Sequence, residues 1–355
     1  MSNGPKSQSI PVLDGIRGMA VMTVFASHAS NIFFRGELLG WGGGQLGVML
    51  FFVLSGFLMA YLYLDTVPDA RSQCEFLINR IARIYPMFLF VVLLCFTVNA
   101  CGIQLWVYPI ASIKDVILNL SFVQGYGVLW TIGPEVVFYA LFVMLWRLFT
   151  KSHLIFLSVI AVLSAMAWLP VTVSPVNSLF MLHTRLPYFF AGCLIGTMSP
   201  LLLQASARSC YGYRVLFGLM AVAFVASFPQ VIRLFAQTPA QLTGNPWSDP
   251  WSFPYYLLMT VLFVVTAILA RPWILTNRVA ICFGKISFSF YLWHYAVLKN
   301  VQALLPIAPR WGVVVAFALT AMLSTLSYRG MEIPCRRLIR RVARHTPSLR
   351  YGLGY

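Results

Sequence analysis

Three residues of the stretch LDGIRGMAVMTVFASHAS, namely Asp14, Arg17 and His28, are of types that do chemistry, and they stand in an apolar run where lipid tolerates none cheaply. Arg17 and His28 are eleven residues apart. At about 100° per residue a helix returns them to within roughly 20° on one face, about 16 Å apart along the axis. Val21 and Val24 fill the stripe between them. Asp14 lies one turn before Arg17, close enough to orient its guanidinium. Histidine titrates near neutrality and can take a hydroxyl proton, while arginine holds anions. A buried polar network joining helices would also use such residues. A shared face with only valines between instead fits an anion site and a reacting centre at two ends of one channel.

Further along, Arg80 and Arg83 lie three apart on the expected cytoplasmic side, where guanidinium groups suit phosphate and also serve membrane topology. Trp130 and Glu135 fall at the outer end of an apolar segment, with Pro134 at a helix start that a carboxylate would favour. Arg329 and Glu332, spaced i, i+3, could pair with each other, with Asp14 or Arg17, or with the loop arginines. Trp293 and His294 read equally well as interfacial or packing residues. The seven cysteines show no C-x-x-C pair and no histidine spaced to complete a zinc site, so they read as structural thiols. Ser55 sits in VLSGF rather than a G-x-S-x-G elbow, and no Walker, Rossmann or H-E-x-x-H pattern occurs. No metal or redox cofactor is implied.

The elements that must position these residues are apolar. The chain of 355 residues is 60% hydrophobic and 10% charged, with a mean hydropathy of +0.81, which is the composition of a polytopic, all-α membrane protein. Its formal charge of +16 does not point to nucleic acid, because the basic residues form short clusters between apolar runs. Ten segments are long enough to span a bilayer: 11–33, 45–64, 84–101, 129–149, 153–171, 180–203, 213–234, 252–270, 287–305 and 311–330. With the N-terminus inside, 17 Lys and Arg residues fall in inner segments and 4 in outer ones, which predicts N-in, C-in. The first segment is too long and too charged for a cleaved leader and is expected to be retained. The longest outer loops, 102–128 and 235–251, are rich in Gly, Pro, Trp and Tyr and suited to shaping an outer cleft.

The first stretch resembles the opening of membrane acyltransferase family 3, the O-acyltransferases of bacterial surface polysaccharides, whose first helix carries L-D-G-x-R-G-x-A followed by a histidine. In order along the chain, LGVMLFFVLSGFLM (46–59), NRIARIYPMF (79–88), LWTIGPEVVFY (129–139), RLPYFFAGCLIG (185–196), GKISFSFYLWH (284–294) and SYRGMEIPCRR (327–337) resemble further family motifs. Thr131, Ile132, Gly133 and Pro134 depart from the usual W-S-L-x-x-E-x-x-F-Y pattern.

The resemblance implies a transmembrane acyltransferase domain over 1–335, a basic cytoplasmic tail over 336–355, and a place in the bacterial cytoplasmic membrane. Acetyl-CoA would be the donor, and a hydroxyl of a cell-surface glycan or lipid-linked sugar the acceptor. His28, with Glu332 and Asp14, would form the catalytic group. His28 would act as general base, with a transient acyl-histidine as the variant. Arg17, Arg80, Arg83 and Arg329 would hold the coenzyme, while Trp130, Glu135 and Arg185 would meet the acceptor. A glycan flippase and a small-molecule acyltransferase, acting for example on a macrolide, are the rival readings. The sequence leaves oligomeric state open.

Overall fold

The computed structural model describes residues 10–37, 39–166, 182–208, 211–235 and 253–345. Among these every regular element is helical. The first five helices are α1 (Pro11–Phe33), α2 (Gly44–Tyr63), α3 (Ala70–Ala100), α4 (Ile113–Leu120) and α5 (Ile132–Lys151), the last entered through a 3₁₀ turn over Gly127–Thr131. Then follow α6 (His153–Ala165), α7 (Leu182–Thr197), α8 (Ser199–Ala207), α9 (Tyr211–Ala226), α10 (Pro229–Phe235), α11 (Phe253–Ala270) and α12 (Trp273–Thr276). The chain closes with α13 (Arg278–Leu304), α14 (Pro309–Ser327), a π turn over Tyr328–Glu332 and α15 (Ile333–His345).

Each of the ten expected segments contains helix, but fewer helices qualify as spans. Four are long and apolar enough to cross a membrane: Gly44–Tyr63, Ala70–Ala100, Gly127–Lys151 and Pro309–Ala343. The pair Thr184–Thr197 and Ser199–Ala207, bent by 60°, makes a fifth if it counts as one span. Helices α1 and α13 have the length, at 23 and 27 residues. They fall short in hydropathy because they carry Asp14, Arg17 and His28, and Lys285, His294 and Lys299. Others, such as His153–Ala165 and Tyr211–Ala226, are apolar but short. The expected outer loop 235–251 lies almost wholly outside the described residues, as does the end of segment 153–171. The expected boundary between 335 and 336 falls inside α15, so the basic segment begins as a continuation of a helix.

Local chemistry sets the helix starts. Pro11 opens α1, where its missing N–H costs nothing, and Asp14 in the first turn suits the helix dipole. Asp69 caps α3 by accepting the Ser72 N–H at 2.7 Å, a bond that holds its carboxyl below the ordinary aspartate range. Asn277 caps α13 through the Ala280 N–H at 2.9 Å. A capping box between Ser112 and Asp115 opens α4 in the loop before α5.

The pairing that positions the site is α1 against α13, and it depends on absent side chains. The Ala280 carbonyl oxygen lies 2.5 Å from where a Gly18 Cβ would stand, and the Asp14 carbonyl occupies the place a Gly284 Cβ would need. Gly284→Leu is therefore expected to force the two backbones apart at a cost of about 1–3 kcal/mol. Thermal unfolding of the purified protein in detergent should show a lowered midpoint, and an unchanged one would mean the helices are not held at this distance. On the opposite flank, Phe189 of α7 stacks between Phe52 of α2 and Phe138 of α5, with centroids 4.5 and 4.2 Å away. That stack stiffens the wall facing α1.

The loop 102–128 is tied down rather than loose. Asn300 of α13 accepts the Trp106 N–H at 2.8 Å and donates to the Trp106 carbonyl at 2.8 Å, mimicking a backbone pairing. Asn99 donates to the carbonyls of Tyr108 and Ile110 at 2.9 and 3.1 Å.

Candidate active site

His28 and His294 meet in the interior. Nδ1 of His28 and Nε2 of His294 are 2.8 Å apart, with the rings nearly parallel and 5.0 Å between centroids. Nδ1 of His294 lies 2.7 Å from the Tyr291 carbonyl oxygen. A carbonyl only accepts, so Nδ1 of neutral His294 carries the proton and its Nε2 is the acceptor. His28 must then donate from Nδ1, which leaves His28 Nε2 as a bare lone pair. The Tyr295 ring stands edge-on to His28, 5.0 Å between centroids. It rests in turn on Trp106 of the anchored loop at 5.1 Å.

His28 lines a cavity of about 520 Å³ together with Val24, Asn31, Gln45, Val48, Trp130, Tyr291, Tyr295, Lys299 and Gln302. A second cavity, of about 350 Å³, holds Asp14, Arg17, Arg80, Arg83, Lys285, Tyr328, Glu332, Arg336 and Arg340. Between them lies a narrow space of about 50 Å³, lined among others by Arg17, Val48, Phe51, Phe52, Ser55, Arg83, Glu135, Ser287 and Tyr291. It shares Arg17, Arg83 and Ser287 with the basic cavity and Val48 and Tyr291 with the histidine cavity. The three therefore form one file through the bundle.

The basic cavity is built for an anion. Six cations face two carboxylates across it. Arg17 pairs with Asp14 at 3.5 Å, as the sequence spacing predicts. The Arg80 guanidinium carbon lies 5.6 Å from the Phe76 ring centre and 6.0 Å from those of Tyr63 and Tyr139, a cage that fixes the group without neutralising it. The buried Nε atoms of Arg80 and Arg336 have no hydrogen-bond partner in the protein. Phosphate oxygens have the charge and the lone pairs to satisfy such donors.

Not every expected residue joins these cavities as the sequence implied. Glu332 is buried, accepts from the Ser289 hydroxyl and pairs with Arg336 at 3.7 Å. It lines the basic cavity, whereas His28 lines the other one, so the structure does not bring Glu332 and His28 into one lining. Arg329 is exposed and outside all three linings. The π turn explains the split, since an i, i+3 pair on an α-helix would share a face, whereas the wider turn faces Glu332 inward and Arg329 out. Glu135 accepts from Ser55 at 3.0 Å and Tyr139 at 2.6 Å. It lines the narrow space with Arg17 and Arg83, not the histidine cavity with Trp130. Arg185 sits behind Trp130, its guanidinium carbon 5.4 Å from the ring centre, and does not reach the lining. Val24 lines the histidine cavity, but Val21 lines none of the three, so the file runs along α2 and α13 rather than down the valine stripe of α1.

Residues that sequence reasoning left undecided or passed over are His294, Tyr291, Tyr295, Lys299, Gln302, Ser55, Lys285 and Arg336. A signal for the α13 members existed. Tyr291, Tyr295, Lys299 and Gln302 recur at helical spacing through an otherwise apolar run.

A family described as an acyltransferase domain matches residues 10–329. The O-acetyltransferase OatA of Staphylococcus aureus (strain NCTC 8325 / PS 47) is 26% identical over 92% of this chain and 57% of its own length. OatA of strain MRSA252 gives the same identity and coverage. The chain thus spans little more than half the length of these relatives. No solved structure matches.

Proposed function

The chain belongs to this acyltransferase family, and we propose that it is a membrane O-acetyltransferase that carries an acetyl group from cytoplasmic acetyl-CoA to a hydroxyl of a cell-surface glycan or lipid-linked sugar. The observation that carries this reading is the file of cavities joining a basic chamber to the bare nitrogen of His28. The 3′-phosphorylated ADP portion of the donor suits Arg80, Arg83 and Arg336. Its extended pantetheine arm suits the narrow space, and the acceptor enters from the far side, past Trp130.

In the reaction His28 Nε2 takes the proton of the acceptor hydroxyl as the oxygen bonds to the acyl carbon. The carbon–sulfur bond breaks, and the departing thiolate takes the proton from His28. His294 is the positioning partner, since its Nε2 accepts from His28 Nδ1 and keeps the reactive nitrogen unprotonated. Asp14 orients Arg17 rather than the histidine pair.

The reading also places the protein in the bacterial cytoplasmic membrane, N-in and C-in, with ten crossings. Arg80, Lys285 and Arg340, all assigned inside by charge, line one cavity with Asp14, which stands at the inner end of the first segment. Gly127, from the outer loop 102–128, lines the other with Asn31, Gln45 and Gln302, which stand at the outer ends of their segments. Reporter fusions after Arg83 and Arg147 are expected to be cytoplasmic, and one near Lys114 external. The decisive assay is purified protein in liposomes with labelled acetyl-CoA. Coenzyme A release that tracks acetyl on an added glycan is expected, whereas glycan translocation without thioester consumption would make it a flippase.

A further inference from the structure

The histidine cavity has a chemical bias that general acyl transfer does not require. Among its described lining residues Lys299 is the one cation and there is no carboxylate. Lys299 is half-buried and makes no ion pair among the described residues. A lysine near the outer end of a spanning helix ordinarily reaches past lipid to the headgroups. This one instead follows Tyr291 and Tyr295 at four-residue intervals along the face of α13 that lines the cavity. Asn31, Gln45 and Gln302 add amide groups, and the buried Oε1 of Gln45 has no hydrogen-bond partner. Trp130, Tyr291 and Tyr295 supply the flat faces on which a sugar ring rests.

We propose that this cavity selects an anionic saccharide, whose carboxylate or phosphate is held by Lys299 while one of its hydroxyls faces His28. The inference rests on the acyl-transfer reading of the same cavity. Lys299 lies one turn beyond Tyr295, about 6 Å along the axis. The Tyr295 ring is itself in contact with the His28 ring at 5.0 Å. A single pyranose with its substituents bridges that interval, so the anionic group belongs to the reacting sugar or its immediate neighbour. A carboxylate on the cavity wall would have neutralised the lysine. Among the described lining residues there is none, and the cation is matched by what binds.

The test measures saccharide affinity on the detergent-purified protein by calorimetry, with trigalacturonate, galactotriose of the same linkage, and galactotriose carrying one phosphate. Either anionic probe, or both, should bind at least about tenfold more tightly than the neutral one, which corresponds to about 1.4 kcal/mol. Comparing the two identifies whether carboxylate or phosphate is preferred. Lys299→Gln should erase the difference and Lys299→Arg should keep most of it. Equal affinity for neutral and anionic probes, no binding by any of them, or a preference that survives Lys299→Gln would overturn the inference. Acetyl-CoA binding and acetyl-CoA-dependent transfer, measured on the same preparations, report on the acyl-transfer reading separately. Their presence alongside a failed saccharide test leaves that reading standing, and their absence removes it.

Discussion

His28→Ala is expected to lower acetyl transfer by about 10³-fold or more while leaving acetyl-CoA affinity and thermal stability close to wild type. General-base catalysis by a positioned side chain contributes about 10²–10⁴-fold. No other group lining this cavity matches His28 as a base, because the remaining nitrogens there are amides, an indole and the ammonium of Lys299. His294→Ala should cost less, on the order of tenfold, because it removes the acceptor that fixes the His28 tautomer but not the base itself. His294→Gln keeps an acceptor oxygen and should recover part of the loss. The effect of both His294 variants should fall on kcat with KM unchanged, which a merely architectural histidine would not produce. Wild-type transfer by well-expressed His28→Ala protein would end the general-base mechanism.

What the sequence made legible follows the cost of burying charge. Asp14, Arg17 and His28 stand out because lipid penalises each of them, and the structure turns all three inward as that penalty requires. His294 carries the same penalty. It read as interfacial or packing because a histidine beside a tryptophan is common at a membrane interface, and its approach to His28 across 266 positions is not visible in the sequence. Backbone turns defeated spacing arguments at Glu332 and Arg329, since no residue type announces a π turn. Glu135 and Trp130 fall in different linings for a related reason. The 3₁₀ turn at Gly127–Thr131 sets Trp130 in one lining and begins α5 so that Glu135 falls in the next. Segment counting located the helices. It did not show that the two carrying the histidines would be among the less apolar, because the residues that make the site are the ones that lower their hydropathy.

Blocking the narrow space should separate donor capture from turnover. Val48 lines both that space and the histidine cavity and is almost fully buried. Val48→Phe would put a ring into a volume of about 50 Å³, so the thioester could no longer reach His28. Transfer should fall at least a hundredfold, while the basic cavity, which Val48 does not line, still binds the nucleotide portion of acetyl-CoA. Arg80→Ala with Arg83→Ala should do the reverse. Two charge-assisted contacts at about 1.5 kcal/mol each predict a Kd weakened on the order of a hundredfold, with the histidine pair undisturbed. Arg329→Ala is the control, since its exposed side chain lies outside all three linings and acetyl-CoA affinity should stay at the wild-type value. Val21→Phe separates the two possible routes. Val21 is fully buried outside all three linings, so a ring there strains packing and should lower thermal stability without selectively stopping transfer. Calorimetry for acetyl-CoA and a transfer assay on the same preparations distinguish these outcomes. Normal turnover in Val48→Phe together with a selective loss in Val21→Phe would move the donor's path back onto the valine stripe of α1, away from α2 and α13.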